Sequence, residues 1–193
     1  VKAQEYKINW MTLPEAIEAQ KTNPKKIIMD VYTTWCGPCK MLDQHTFQNK
    51  DVSSFVNENF YAVKFNAEGN ESLTYQDQAF SNPDFNPAST GRNAQHQLAQ
   101  ALQITAYPTI YFFDEQGLPI MPIPGYHSPK QLELYLKLFL NDDHKKIQTK
   151  AFMLPKLRDM TGWIVNETKN QEGQIEPRAA NMLKDMVGVD TRQ

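Results

Sequence analysis

The sequence predicts an α/β fold: a central mixed sheet flanked by helices, with an insert and a helical C-terminal extension. Three observations carry that expectation. Apolar, β-rich runs alternate along the chain with segments of helical period, as they do when helices cover both faces of a sheet. One run, Ile27 to Tyr32, is apolar on both faces apart from Asp30, which suits a strand in the middle of the sheet. A short turn, Asp114-Glu115-Gln116-Gly117, then joins two such runs and adds an antiparallel edge.

The elements follow in order. Thr12-Leu13-Pro14-Glu15 has the form of a capping box, and Leu13, Ala16, Ile17 and Ala19 give the next helix an apolar side. The strand at Ile27–Tyr32 comes next. A helical stretch then runs from Cys36 through Met41, Leu42 and His45 towards Phe47, and a second carries Val52, Phe55 and Val56 on one side. Phe60 to Phe65 reads as a strand. Residues 66–100 are rich in Asn and Gln and broken by Pro83 and Pro87, an irregular insert expected to turn helical from Arg92 to Leu102. Tyr107 to Phe113 is a strand with Leu118 to Ile123 as its hairpin partner. Ser128-Pro129-Lys130-Gln131 caps an amphipathic helix carrying Leu132, Tyr135, Leu136, Phe139 and Leu140. These elements form a domain over residues 1–141. Residues 142–193 read as a helical extension, with Leu157, Met160, Trp163 and Ile164, and then Ala179, Met182, Leu183, Met186 and Val187, at helical spacing.

Composition removes several function classes. A chain of 193 residues buries a sizeable core without disulfide staples. The net charge of −2, with both signs interspersed, makes no electrostatic case for nucleic acid. No apolar run approaches the ~20 residues that span a bilayer. Val1-Lys2-Ala3 fits an exported chain whose leader has been removed, and equally an arbitrary boundary.

The only two cysteines, Cys36 and Cys39, stand three residues apart in "WCGPCK". Such a loop is too small to stabilise a fold much, and two thiols are too few for a four-ligand zinc site. Neither a metal nor another cofactor is expected. Cys36 falls between a buried strand and a helix, where unpaired N–H groups and the helix dipole favour thiolate over thiol. Cys39, one turn on, is within reach and more shielded, so Cys36 attacks and Cys39 resolves. Pro38 suits the first helical turn.

"WCGPCK" resembles the active-site motif of the thioredoxin family, and further matches fall in the family's order. Asp30, six residues before Cys36, resembles its buried aspartate, and Lys64 in "AVKFN" the lysine beside it. Tyr107-Pro108-Thr109 resembles the segment whose cis-proline faces the cysteines, and Gly125 the glycine beside the last strand. The similarity covers about residues 8–140, and the insert departs from compact thioredoxins. The string "TFQNKDVSSFVNENFYAVKFNAE" is more similar to thioredoxin-like proteins of bacterial envelopes, which implies a periplasmic or otherwise exported setting, with a cytoplasmic one as the alternative.

The resemblance implies a thioredoxin fold and thiol–disulfide exchange with disulfide-bearing protein substrates, with Cys36 and Cys39 as the redox pair. Asp30, its carboxyl raised by burial, would take the Cys39 proton. Lys64 accompanies it in the family, although alone it reads equally as a solvated strand lysine. Trp35, Gly37, Pro38, Gly125 and the backbone of Ala106, Tyr107 and Pro108 would meet the substrate chain, the last three by strand-like pairing. Gly37-Pro38 resembles the reducing members, which need an electron-donor protein. Oxidase or isomerase activity and a binding module with a vestigial or redox-sensitive dithiol remain as rivals. His45, nine residues past Cys36 on its helix, lies too far along to act as its base, and His96, His127 and His144 read as isolated surface residues.

Overall fold

The computed structural model describes residues 6–146. It contains seven strands and six helices in the order β1 (Trp10–Met11), α1 (Leu13–Gln20), β2 (Lys26–Tyr32), α2 (Gly37–Leu42), a π-helical turn (Asp43–Phe47), α3 (Lys50–Asn59), β3 (Phe60–Asn66), β4 (Leu73–Tyr75), β5 (Gln78–Phe80), α4 (Gln97–Ala101), β6 (Thr109–Phe113), β7 (Pro119–Pro124), α5 (Pro129–Leu140) and α6 (Asp143–Lys146). The main sheet runs β1-β3-β2-β6-β7. Strands β1, β3 and β2 are parallel, and β6 and β7 are antiparallel to their neighbours. The apolar run Ile27–Tyr32 is thus the middle strand, as its two-faced pattern requires.

Alternation along β2 divides the interior in two. Ile27, Met29 and Val31 join Val63, Phe65, Tyr111 and Phe113 in a core covered by Leu13 and Ala16 of α1 and by Leu98 and Ala99 of α4. Asp30 points to the opposite face, where its register partner Lys64 meets the π-helical turn. Phe47 from that turn is buried there against Trp10. The capping box forms as expected: Thr12 accepts from Glu15 N–H, and the Glu15 carboxylate takes the Thr12 N–H at 2.7 Å. Ser128 and Gln131 repeat the motif at the start of α5, which buries Leu132, Tyr135 and Leu136.

Some expectations need correction. The helix after Cys36 does not run evenly to Phe47: from Asp43 it widens to π geometry, and buried Thr46 donates its hydroxyl to His127 O at 2.6 Å. In the insert, Leu73, Tyr75 and Phe80 form a β-hairpin where only irregular chain was expected. Its two-residue turn, Gln76-Asp77, adopts positive φ without glycine. The helix expected at 92–102 shrinks to α4, because the backbone of Asn93 and Ala94 is spent on carboxylate and amide oxygens. Ala101, its last residue, is exposed.

Two histidines also differ from their surface reading. His96 is buried as the N-cap of α4, accepting from Leu98 N–H through Nδ1. His127 is buried against the Tyr135 ring. His45 is exposed.

Two compact units divide the chain, residues 1–136 and 137–193. The first holds both sheets and the cysteine pair. Described residues of the second comprise the end of α5 and the short α6. The helices expected at 157–164 and 179–187 lie outside the described residues. No helix of the described chain is long and apolar enough to cross a membrane.

Candidate active site

At the carboxyl end of the middle strand, the chain leaves β2 at Tyr32 and turns through Thr33-Thr34-Trp35, with Cys36 N–H on Thr33 O at 3.3 Å. Cys36 is the N-cap of α2, and Gly37-Pro38 occupy its first turn, where Pro38 lacks an N–H that would have no helical partner. Cys36 and Cys39 are joined in a disulfide, so the pair is oxidised. Both are buried, at 2% and 4% exposure, so in the oxidised pair Cys39 is not the more shielded sulfur that was expected, while Gly37 and Pro38 between them are exposed. The Cys39 backbone N–H donates to Cys36 Sγ at 3.1 Å, directing a helix-terminal donor at the first sulfur.

On β2, six residues before Cys36, Asp30 is completely buried, and Lys64 Nζ lies 2.8 Å from its Oδ2. The two form an ion pair, and Oδ1 has no donor among the described residues. Burial pushes the Asp30 carboxyl above its ordinary range, and the Lys64 charge offsets that only partly. For Lys64, burial works against the charged form, yet Asp30 and Asp43 outweigh it and raise its pKa. Asp43 Oδ1 sits 2.7 Å from Lys64 Nζ. The ammonium also lies over the Trp10 and Tyr32 rings, 4.8 and 5.1 Å from their centroids. Lys64 is therefore held in a cage, against the alternative of a solvated strand lysine. Asp43 was not foreseen; its signal is its place on the helix that Cys36 caps, two turns on.

The start of β6 pairs with the end of β2 that leads to the cysteines. The Tyr107–Pro108 peptide is cis, and Val31 pairs with Thr109, so Pro108 reaches the end of β2 that leads to Cys36. The Tyr107 ring meets the Trp35 ring edge-on, centroids 6.1 Å apart. Gly125 takes φ +93 and donates its N–H to Pro108 O at 2.7 Å, tying β7 to this segment. Ala106 is exposed, but its carbonyl already accepts the Thr109 hydroxyl at 2.8 Å.

The insert also reaches the site. Trp35 Nε1 donates to Glu68 Oε2 at 2.7 Å, Arg92 Cζ stands 4.4 Å from the Trp35 ring centroid, and Gln95 Nε2 donates to the Tyr107 hydroxyl at 3.0 Å. None of these insert residues stood out in the sequence, because no short motif marks a polar side chain that closes over a distant aromatic.

A parallel-antiparallel sheet whose middle strand feeds a capped Cys-x-x-Cys turn, with a cis-proline at the start of the neighbouring strand, defines a thioredoxin-type fold. The thioredoxin-like domain family matches residues 13–140, and the chain belongs to that family. Among its relatives is the thiol:disulfide interchange protein DsbD of Photorhabdus laumondii, 30% identical over 67% of this chain and 19% of that protein. DsbD of Pectobacterium atrosepticum is 25% identical over 61% of this chain and 17% of that protein. The chain thus spans less than a fifth of the length of these two relatives. The thioredoxin-like protein slr0233 of Synechocystis sp. is 28% identical over 61% of this chain and 85% of its own length. A thioredoxin-fold protein from Helicobacter pylori superposes with TM-score 0.55 at 18% identity, covering 75% of this chain and 86% of that one, a likeness of fold.

Proposed function

We propose that this protein is a thiol–disulfide oxidoreductase that reduces disulfides of protein substrates through Cys36 and Cys39. The observation that carries the reading is the placement of the Cys36 sulfur at a helix N-terminus, with the Cys39 N–H donated to it. That environment favours a thiolate in the reduced state, and thiolate is the nucleophile.

The Cys36 thiolate attacks one sulfur of the substrate disulfide. A Cys36–substrate S–S bond forms, the substrate S–S bond breaks, and the departing sulfur leaves as a thiolate that takes a proton from solvent. Cys39 then loses its proton to the Asp30 carboxylate, directly or through water. Its sulfur attacks Cys36 Sγ, forming the Cys36–Cys39 bond and breaking the Cys36–substrate bond; the second substrate sulfur leaves as a thiolate and takes up the proton passed to Asp30 or one from solvent. Two electrons pass from enzyme to substrate, and a protein dithiol donor restores the reduced pair. Trp35, Gly37, Pro38 and the backbone around Ala106, Tyr107 and Pro108 receive the substrate chain, and Gly125 holds the last of these.

The Gly-Pro dipeptide between the cysteines supports the reducing direction. Similarity to the two thiol:disulfide interchange proteins and to envelope thioredoxin-like sequences supports work in the bacterial envelope. We assign this chemistry to residues 1–141, with 142–193 as a helical extension.

Reduction of insulin disulfides with dithiothreitol as donor tests the activity: the wild-type chain turns over, Cys36→Ser does not, and Cys39→Ser accumulates a mixed disulfide. If Cys36→Ser keeps full rate, the reading fails. Equilibration with glutathione tests the direction: a potential below about −200 mV fits a reductant, whereas one near −120 mV would make the protein an oxidant.

A further inference from the structure

We propose that Arg92, carried by the insert, selects substrates: it favours disulfides flanked by a carboxylate side chain. The inference rests on Cys36 being the attacking sulfur, since Arg92 acts beside it.

Trp35 immediately precedes Cys36 in the chain. One edge of its ring is tied through Nε1 to Glu68, and the Tyr107 ring abuts it. The Arg92 guanidinium covers its face, with Cζ 4.4 Å from the ring centroid. Arg92 is exposed and has no ion-pair partner among the described residues.

Nor is it a wandering surface side chain. Ser89 Oγ donates to Arg92 O at 2.7 Å, and the next N–H, on Asn93, goes to Glu68 Oε2 at 2.8 Å. Asn93 is fastened to Asn86 through both its amide oxygen and its amide nitrogen. The backbone on either side of Arg92 is therefore fixed, and the ring fixes its head.

Stacking uses the face of a guanidinium and leaves its in-plane N–H fork, which matches a carboxylate in shape and charge. The acids around the site are occupied. Glu68 Oε2 accepts from two N–H groups, and Asp30 and Asp43 both face Lys64. Lys40, exposed and one residue past Cys39, is a second cation at the pair. The donors to Glu68 are neutral and leave its charge in place at the ring edge, but its Oε2 is turned to Trp35 and Asn93, while the exposed Arg92 and Lys40 are the cations that a polypeptide lying across Trp35 to reach Cys36 would meet.

The test uses the full chain and three disulfide-bridged peptides that differ only in the residues flanking the bridge: Glu, Gln or Lys. With dithiothreitol as donor, kcat/KM for the Glu peptide is expected to exceed that for the Lys peptide about fivefold at low salt. The ratio narrows as salt is raised. Arg92→Gln brings the ratio towards unity, and Arg92→Glu inverts it. Because the readout is a ratio between peptides, it does not depend on how much of a variant is folded. Equal rates for the three peptides in the wild-type chain overturn the proposal and leave the reductase reading standing, as does a preference that Arg92→Gln leaves unchanged. Failure to reduce any of the three overturns that reading, and the proposal with it.

Discussion

Lys64 Nζ stands 2.8 Å from Oδ2 of Asp30, a carboxylate with no solvent exposure at all. Asp43 shares the same ammonium at 2.7 Å, so a single half-buried cation serves two acids. The protein has placed a charge where burial opposes it, and that has consequences for stability. A carboxyl whose folded pKa lies above its unfolded value keeps a proton that the unfolded chain has released. Stability therefore falls as pH rises from 3.8 through the higher folded value. Asp30→Asn removes the buried charge and leaves Lys64 paired with Asp43. It is expected to stabilise the fold at pH 7 by roughly 1–3 kcal/mol, the scale of an unsatisfied buried polar group. The gain should fade towards pH 4. Urea denaturation at pH 4 and pH 7 reads both, and a destabilised variant at pH 7 would contradict the account.

Removing the cation has the opposite sign. Lys64→Met leaves Asp30 buried without a partner and should cost about 3 kcal/mol at neutral pH, as other broken buried pairs do. Acid should relieve part of the loss, because protonation neutralises the stranded carboxyl. Thermal unfolding at pH 4.5 and pH 7.5 would show a smaller deficit at the lower pH. An equal deficit at both would mean that the Lys64 stem, packed among Trp10, Tyr32 and Phe47, matters more than its charge.

His127 supplies a second titration, in the opposite direction. Burial lowers its pKa from 6.5, and the carbonyl of Pro124, 3.2 Å from Nε2, recovers only part of that. The unfolded chain then binds the extra proton first. His127 contributes stability that is complete above pH 6.5 and is lost as pH falls through the folded value. His127→Gln should flatten the acid limb of the stability profile below pH 6.5. If the slope there matches the wild-type chain, His127 does not control it.

How much of this was legible follows from the range of the interactions. The middle strand, the capping boxes and the turn at 114–117 are local patterns, and each formed where the residues indicated. Asp30 and Lys64 lie 34 positions apart, yet each sits in a strand of clear period, so their pairing follows from two adjacent parallel strands in register. Asp43 lay hidden because its contact with Lys64 joins a helix end to a strand 21 positions on, which no local spacing marks. The insert was opaque for two physical reasons. Its hairpin turns on Gln76 and Asp77, at φ 51 and 60, without the glycine that marks such turns. Its remaining chain is held by side-chain amides and carboxylates, as where Asn82 Nδ2 spans Gly69 O and Ala94 O. Those bonds leave no periodicity. His96 and His127 escaped for a related reason: a lone histidine carries no sign of whether its ring is buried.

The hairpin itself offers a test of whether the insert is part of the folded domain. Tyr75 is buried beside Phe80 and Phe113, and its hydroxyl donates to Gly117 O at 2.9 Å, across to the turn between β6 and β7. Burial and nearby acidic groups push its phenol up to about 12. Tyr75→Phe keeps the ring and strands the carbonyl, so it should cost about 1 kcal/mol. Ultraviolet titration should lose one late-ionising phenol in the variant. A loss of stability together with an unchanged titration curve would place the high-pKa phenol on another tyrosine.

Gly125 closes the site from the β7 side and gives the last prediction. Its φ of +93 is a conformation that residues with a Cβ rarely adopt, although an added Cβ would meet nothing within 4 Å. Gly125→Ala should therefore lose about 1–2 kcal/mol from backbone strain alone, with no steric clash to relieve. To escape that strain the backbone must rotate, and the first casualty is the 2.7 Å hydrogen bond from Gly125 N–H to Pro108 O. The Pro108 segment would shift against Cys36, so disulfide reduction should slow while alkylation of the reduced Cys36 thiolate keeps its pH midpoint. Stopped-flow insulin reduction beside iodoacetamide kinetics separates the two. A displaced alkylation midpoint with unchanged turnover would mean that Gly125 acts on the sulfur's ionisation rather than on the surface that receives the substrate.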